Sequence, residues 1–144
     1  MKLSPNVEEY LEILWILEEE GVEVAKINEI AEKLAISPPS AVEMLKKMEE
    51  AELVEYRARV GISLNEKGRE IARQVIRNHR LAEMLLTDIL HMDIDESAIC
   101  GLEHHISEEI ADAVCTALNH PRRCPHGNDI PKGKCCKSID TGRG

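Results

Sequence analysis

A chain of 144 residues and 16.2 kDa is long enough for one compact domain or two small ones, and too short for a large multidomain enzyme. With 43% hydrophobic and 31% charged residues it reads as neither disordered nor membranous, because no apolar run approaches the ~18–20 residues a bilayer span needs. A net charge of −9, from 18 basic and 27 acidic side chains, argues against a purely electrostatic nucleic-acid binder.

Met1 to Asn6 run directly into Glu8 and Glu9 without the apolar stretch of a signal peptide, which predicts a cytoplasmic protein. From Pro5 to Glu20, Val7, Leu11, Leu14 and Leu17 follow helical spacing, and Gly21 closes the run. A second helix is predicted over Ile27–Leu34. Ser37 then stands as N-cap before Pro38, opening a third helix with Ala41, Val42, Leu45 and Met48 on its apolar side. The short Ala35-Ile36 joint makes these two a helix-turn-helix. The β-rich stretches 53–57 and 60–64 are separated by so little chain that they pair as a hairpin, giving a winged helix-turn-helix. Asn65 is expected to cap a long helix from Glu66 to Leu90. Its far end, Leu81 to Leu90, is apolar on more than one face, which predicts burial against a second copy of the chain. The arginine stripe Arg69, Arg73, Arg77 and Arg80 along this helix reads as a solvated face. Two shorter helices follow, Asp95–His105 and Ser107–Asn119, and then a Pro-, Gly- and Cys-rich tail in which Thr141–Gly144 reads as an unstructured end. The expected class is mainly α, divided into a winged-helix DNA-binding domain (1–64), a helical dimerisation and metal-binding domain (65–120) and a tail (121–144).

Chemistry concentrates in the last two thirds. In Cys100-x-x-Glu103-His104, with Glu96 one turn earlier, a thiol, two carboxylates and an imidazole share one arc of a helix. His79 and Glu83 form a second pair one turn apart, and Glu9 and Glu12 share a face of the first helix. Mixed S/N/O donors suit a borderline divalent transition metal and disfavour calcium or magnesium. Taken singly, Glu9, Glu12 or Glu83 reads as a solvated side chain; Cys100, Glu103 and His104 together read as ligands. The same triplet is a Cys-for-His copy of the inverted zinc-protease motif, and that substitution, with the short chain, counts against a protease. All five cysteines lie beyond residue 99, and their odd number points to metal or redox chemistry rather than disulfides. Cys124, His126, Cys135 and Cys136, with Cys115 as a further ligand, are candidates for a zinc or iron–sulfur site. The spacing matches no standard finger, adjacent cysteines do not easily share one zinc, and reduced thiols on a loose tail are the competing reading.

The order of these motifs, a winged helix, then Asn78-His79-Arg80-Leu81-Ala82-Glu83, then Cys100-x-x-Glu103-His104, then His126-Gly127-Asn128 and Ile130-Pro131, resembles the diphtheria toxin repressor family of metal-dependent transcriptional regulators, including its manganese transport regulators. The resemblance implies a homodimer that binds operator DNA when Fe²⁺ or Mn²⁺ is bound and represses metal-uptake genes. It implies His79, Glu83, Cys100, Glu103 and His104 as metal ligands. Glu9 falls at the first-helix ligand, a Met in iron-type and an Asp in manganese-type members. Glu12 matches a carboxylate of the manganese type, and Glu96 stands where iron-type members carry a His. It places Ser37, Pro39, Ser40 and Glu43 at the groove-facing start of the third helix, followed by Lys46 and Lys47, with Arg57 and Arg59 on the wing. The sequence stops before the SH3-like domain of longer members. Cys100 favours Fe²⁺ over Mn²⁺, while Glu9 pulls the other way. Two rival readings are a redox or iron–sulfur sensor working through the tail cysteines, and a small metallohydrolase, which would need an open coordination position with a general base beside it.

Overall fold

The computed structural model describes residues 5–136, in two units divided between Arg73 and Gln74. The reading of Thr141–Gly144 lies outside the described residues.

In the first unit, α1 (Pro5–Glu19), α2 (Ile27–Leu34) and α3 (Pro38–Glu50) surround a core of Leu11, Leu14, Leu17, Ile30, Leu45 and Met48. These leucines and isoleucines recur at helical spacing, so burying one stripe of each helix removes most of their apolar area from water. α2 ends on Ala35 in the left-handed conformation (φ 56°), whose N–H bonds back to the last turn and swings the chain into α3. At α3 the Ser37 side chain accepts the Ser40 N–H, and Pro38 occupies the first helical position. Strands β1 (Val54–Arg57) and β2 (Gly61–Leu64) pair antiparallel, Val54 opposite Leu64 and Arg57 opposite Gly61. An isolated bridge from Ala25 to Ile62 adds a third rung beside β2. Gly61 lies at φ 138°, and a Cβ there would stand 2.4 Å from the Ala25 carbonyl oxygen, so the bridge requires glycine. This is the winged helix-turn-helix that the sequence predicts.

The helix α4 (Glu66–Met84) starts in the first unit and ends in the second. The expected continuous α-helix to Leu90 is not formed: Leu85–Ile89 is a π-helical turn, closed by the Leu90 N–H on the Leu85 carbonyl at 3.0 Å. The Thr87 hydroxyl, placed 3.1 Å from the Glu83 and 3.4 Å from the Met84 carbonyl oxygen, competes for the helix's own acceptors there. α5 (Glu96–Glu103) is capped by Asp95, which accepts two backbone N–H groups, and α6 (Glu108–Ala117) by Ser107. Two small cores hold this unit. One joins Leu81, Ala111, Cys115, Cys124, Ile130 and Cys136; the other joins Ala82, Leu86 and Ile99.

The arginine stripe is corrected by the structure. Arg77 is fully buried and Arg80 is 4% exposed. Arg77 pairs with Asp112 (2.9 Å) and donates to the Pro131 carbonyl (3.1 Å), while Arg80 donates to the Asp129 carbonyl. Arg69 pairs with Glu18 in the first unit. The carbonyls of Asp129 and Pro131, in the segment after α6, thus supply acceptors for the two buried guanidiniums. Residues 121–136 therefore pack as part of the second unit and do not trail from it as a loose tail. Among the described residues no helix is long and apolar enough to cross a membrane.

Candidate metal centre and nucleic-acid surface

Glu103 is the hub of the second unit's polar cluster. It lies at the end of α5, is 2% exposed, and turns one oxygen toward His79 Nδ1 of α4 (2.6 Å) and the other toward His104 Nε2 (3.3 Å). Cys100, one turn back on α5, sets its sulfur 3.7 Å from the same His104 nitrogen. Asn78 fixes the two helices against each other by donating to the Glu103 and Ile106 carbonyls. The other nitrogen of His79 faces Glu83 at 3.5 Å and Glu96 at 3.9 Å. Glu83 is buried, whereas the Glu96 side chain is 66% exposed at the rim. On the far side of Glu83, His126 Nδ1 stands 2.6 Å from the second carboxylate oxygen. The donor atoms of Glu83, Cys124 and His126 all lie within 4.8 Å of one another.

Buried carboxylates, imidazoles and thiols gathered this closely are costly to keep charged without a cation, and their chemistry fits a borderline divalent metal. His79 pairs with Glu103 and Cys100 with His104 as neighbouring sets of donors, and Glu83, Cys124 and His126 form a further group that could hold a metal ion. Glu9 and Glu12 lie half-buried on α1 in the first unit.

The structure splits the cysteine-rich candidate set. Cys124 and His126 face Glu83, while Cys135 and Cys136 join Cys115 and His120 in a separate group. His120 is absent from the sequence reading; its spacing of five from Cys115 across a helix end is the signal that was available. The short 3₁₀ turn Lys134–Cys136 sets the two adjacent sulfurs 3.8 Å apart, so neighbouring cysteines do converge here. Burial pushes the Cys115 thiol up to about 12, with the neighbouring cysteines adding to it. Burial likewise raises Cys135. At Cys136 burial also works upward, but hydrogen bonds from the Gly133 backbone, His120 and the other two cysteines outweigh it and bring the thiol down to about 7.

In the first unit Ser37, Pro39, Ser40, Glu43, Lys46 and Lys47 are all exposed along α3, as are Arg57 and Arg59 on the wing. Ser37 is partly committed to its own helix, since its hydroxyl caps α3 and lies 2.9 Å from the Ser40 hydroxyl. Arg57 is held by Glu55 at 2.8 Å. A cleft beside the wing is lined by Lys26, Asn28, Arg57 and Arg59.

A winged helix-turn-helix followed by a helical unit with buried S, N and O donors defines the class. Residues 2–62 match the model for the iron-dependent repressor N-terminal DNA-binding domain, and residues 65–132 match that for the iron-dependent repressor metal-binding and dimerisation domain. The chain belongs to the iron-dependent repressor family. It is 37% identical over 132 residues to the iron-dependent repressor IdeR of Mycobacterium tuberculosis, covering 90% of this chain and 57% of that protein. It is 37% identical over 131 residues to the diphtheria toxin repressor of Corynebacterium diphtheriae, covering 90% and 58%. The structure of the manganese regulator SloR superposes with a TM-score of 0.77 at 36% identity, covering 90% of this chain and 61% of that one. The chain thus spans 57% of the length of the mycobacterial relative.

Proposed function

We propose that the protein is a metal-dependent repressor that binds operator DNA as a homodimer when Fe²⁺ or Mn²⁺ is bound, and controls metal-uptake or metal-homeostasis genes. The observation that carries this reading is Glu103, a buried carboxylate between His79 and His104 with Cys100 alongside, in a chain whose other unit exposes a recognition helix. The ligand set is His79, Glu83, Cys100, Glu103 and His104, with Glu96 at the rim; Glu9 and Glu12 enter from the family pattern as ligands from α1. Ser37, Pro39, Ser40 and Glu43 face bases, and Lys46, Lys47, Arg57 and Arg59 meet phosphates, which fix register without reading sequence.

Residues 1–64 carry 14 acidic and 7 basic side chains, a net of −7, so the DNA-facing half repels phosphate on its own. A bound divalent cation supplies positive charge and holds the ligand side chains in one arrangement. Cys100 and Cys124 favour Fe²⁺, with Mn²⁺ as a weaker substitute, since thiolates prefer metals later in the divalent affinity series. The test is selection of duplex DNA from a random pool by chelated protein supplemented separately with Fe²⁺, Mn²⁺ and Zn²⁺, followed by titration of the selected duplex. Metal-dependent affinity is expected, and it should be absent in Glu9→Ala with the fold intact. Affinity independent of metal refutes the reading.

A further inference from the structure

We propose that Cys115, His120, Cys135 and Cys136 form a second, structural metal site that holds one Zn²⁺ and fastens the segment 121–136 to α6.

Four of the six distances between the donor atoms match the edges of a zinc tetrahedron, and the other two lie within 4.8 Å. With Zn–S of about 2.3 Å and Zn–N of about 2.0–2.1 Å at tetrahedral angles, neighbouring sulfurs must stand about 3.8 Å apart and a sulfur and a nitrogen about 3.6 Å. The Cys115 and Cys136 sulfurs are 3.7 Å apart, and those of Cys135 and Cys136 are 3.8 Å apart. His120 Nδ1 stands 3.5 Å from the Cys115 sulfur and 3.6 Å from that of Cys136. All four donor atoms lie within 4.8 Å of one another. Four donors converging this closely suit a single ion, whereas the four ligands of an iron–sulfur cluster are divided between two or more irons.

Two features are built around this convergence. Asn119 and His120 are consecutive non-glycine residues in the left-handed region, at φ 62° and 53°, and together they fold His120 back over Cys115. Its N–H bonds the Cys115 carbonyl at 2.8 Å. Backbone in this region is unfavourable for residues with a Cβ, and it persists where the surroundings hold it. Arg77 is the second feature. Its fully buried guanidinium reaches the Cys135 sulfur at 3.3 Å, and its Nη1 has no hydrogen-bond partner among the described residues. A cation donating to a ligand sulfur is what a Cys₃His site needs, because three thiolates exceed the charge of one Zn²⁺. A four-ligand site with no open position is structural, and its ligands here tie the end of α6 to the far end of the segment that carries Cys124 and His126.

The full chain should retain one zinc per molecule after dialysis against EDTA, by elemental analysis. In a Cys100→Ser/Cys124→Ser background, which leaves only these three thiols, replacement by Co²⁺ should give a thiolate-to-cobalt charge-transfer band and the intense visible bands of a tetrahedral ion. Adding Cys136→Ser should abolish both the band and the retained zinc. Should that variant fail to fold, the spectrum of the double-serine background still decides. Absence of the charge-transfer band there, a brown iron–sulfur chromophore, or a disulfide among the three cysteines overturns the proposal. DNA binding is not read in this experiment, so its outcome is independent of the repressor assignment.

Discussion

Replacing Arg77 by methionine should destabilise the second unit by about 3–5 kcal/mol, the usual cost of removing one partner of a buried ion pair. The side chain is fully buried, and its Nη2 stands 2.9 Å from Asp112, whose own side chain is 23% exposed. At an effective dielectric of about 20 the attraction is roughly 5–6 kcal/mol, and the partial exposure of Asp112 brings the net loss below that. The lost bond to the Pro131 carbonyl adds about 1 kcal/mol, while methionine preserves the aliphatic packing of the stem. Adding Asp112→Asn should restore about 1–2 kcal/mol, because the orphaned carboxylate is then gone. The assay is urea unfolding at fixed metal followed by two probes. Tyr10, Trp15 and Tyr56 all belong to the first unit and the chain has no phenylalanine, so tryptophan fluorescence reports that unit alone while far-ultraviolet dichroism reports both. The dichroism transition should move to lower urea. A shift equivalent to less than about 0.5 kcal/mol, or movement of the Trp15 transition alone, would mean that the buried pair does not hold the second unit together.

Three further outcomes are expected. Cys100→Glu should shift the metal preference of DNA binding from Fe²⁺ toward Mn²⁺, measured as the free concentration of each metal at half-maximal binding. A wild type that responds to less Mn²⁺ than Fe²⁺ defeats the assignment. Gly61→Ala forces a Cβ to within 2.4 Å of the Ala25 oxygen and should cost the first unit about 1–3 kcal/mol, seen in Trp15 fluorescence, with weakened DNA binding. Ile89, Leu90 and Met92 are 49%, 52% and 54% exposed, and Leu90→Glu with Met92→Glu should move the protein from dimer to monomer in sedimentation equilibrium, with helical content unchanged.

The first unit was legible almost residue by residue because its signals are local. Ser37 followed by Pro38 marks one helix start, and the brief gap between two β-rich stretches permits little but a hairpin. The polar cluster of the second unit was legible in part, because helical spacing puts Cys100, Glu103 and His104 on one arc, and they do stand together. What escaped the sequence was decided by partners distant along the chain. Arg77 and Arg80 look like any solvated stripe until the carbonyls of Asp129 and Pro131 arrive beside them. The separation of Cys124 from Cys135 depends on how residues 121–136 turn, and composition does not specify a path for a chain rich in Pro and Gly. His120 joins Cys115 only through two left-handed residues in succession; asparagine and histidine tolerate that conformation better than most, but the sequence alone does not show that both adopt it.

The π-helical turn at Leu85–Ile89 amounts to one residue more than an α-helix making the same turn needs. Its position has a consequence for angular phase. Everything up to Glu83 keeps the α-helical register that aims His79 at Glu103 and Glu83 at His126, and the surplus is absorbed immediately afterwards. Had the α-helix run on through these residues without the wide turn, Ile89 and Leu90 would lie about 90–100° further around the axis, while His79 and Glu83 would keep their direction. The wide turn thus acts as a phase shifter, letting one continuous piece of chain aim His79 and Glu83 in one direction and its exposed apolar end in another.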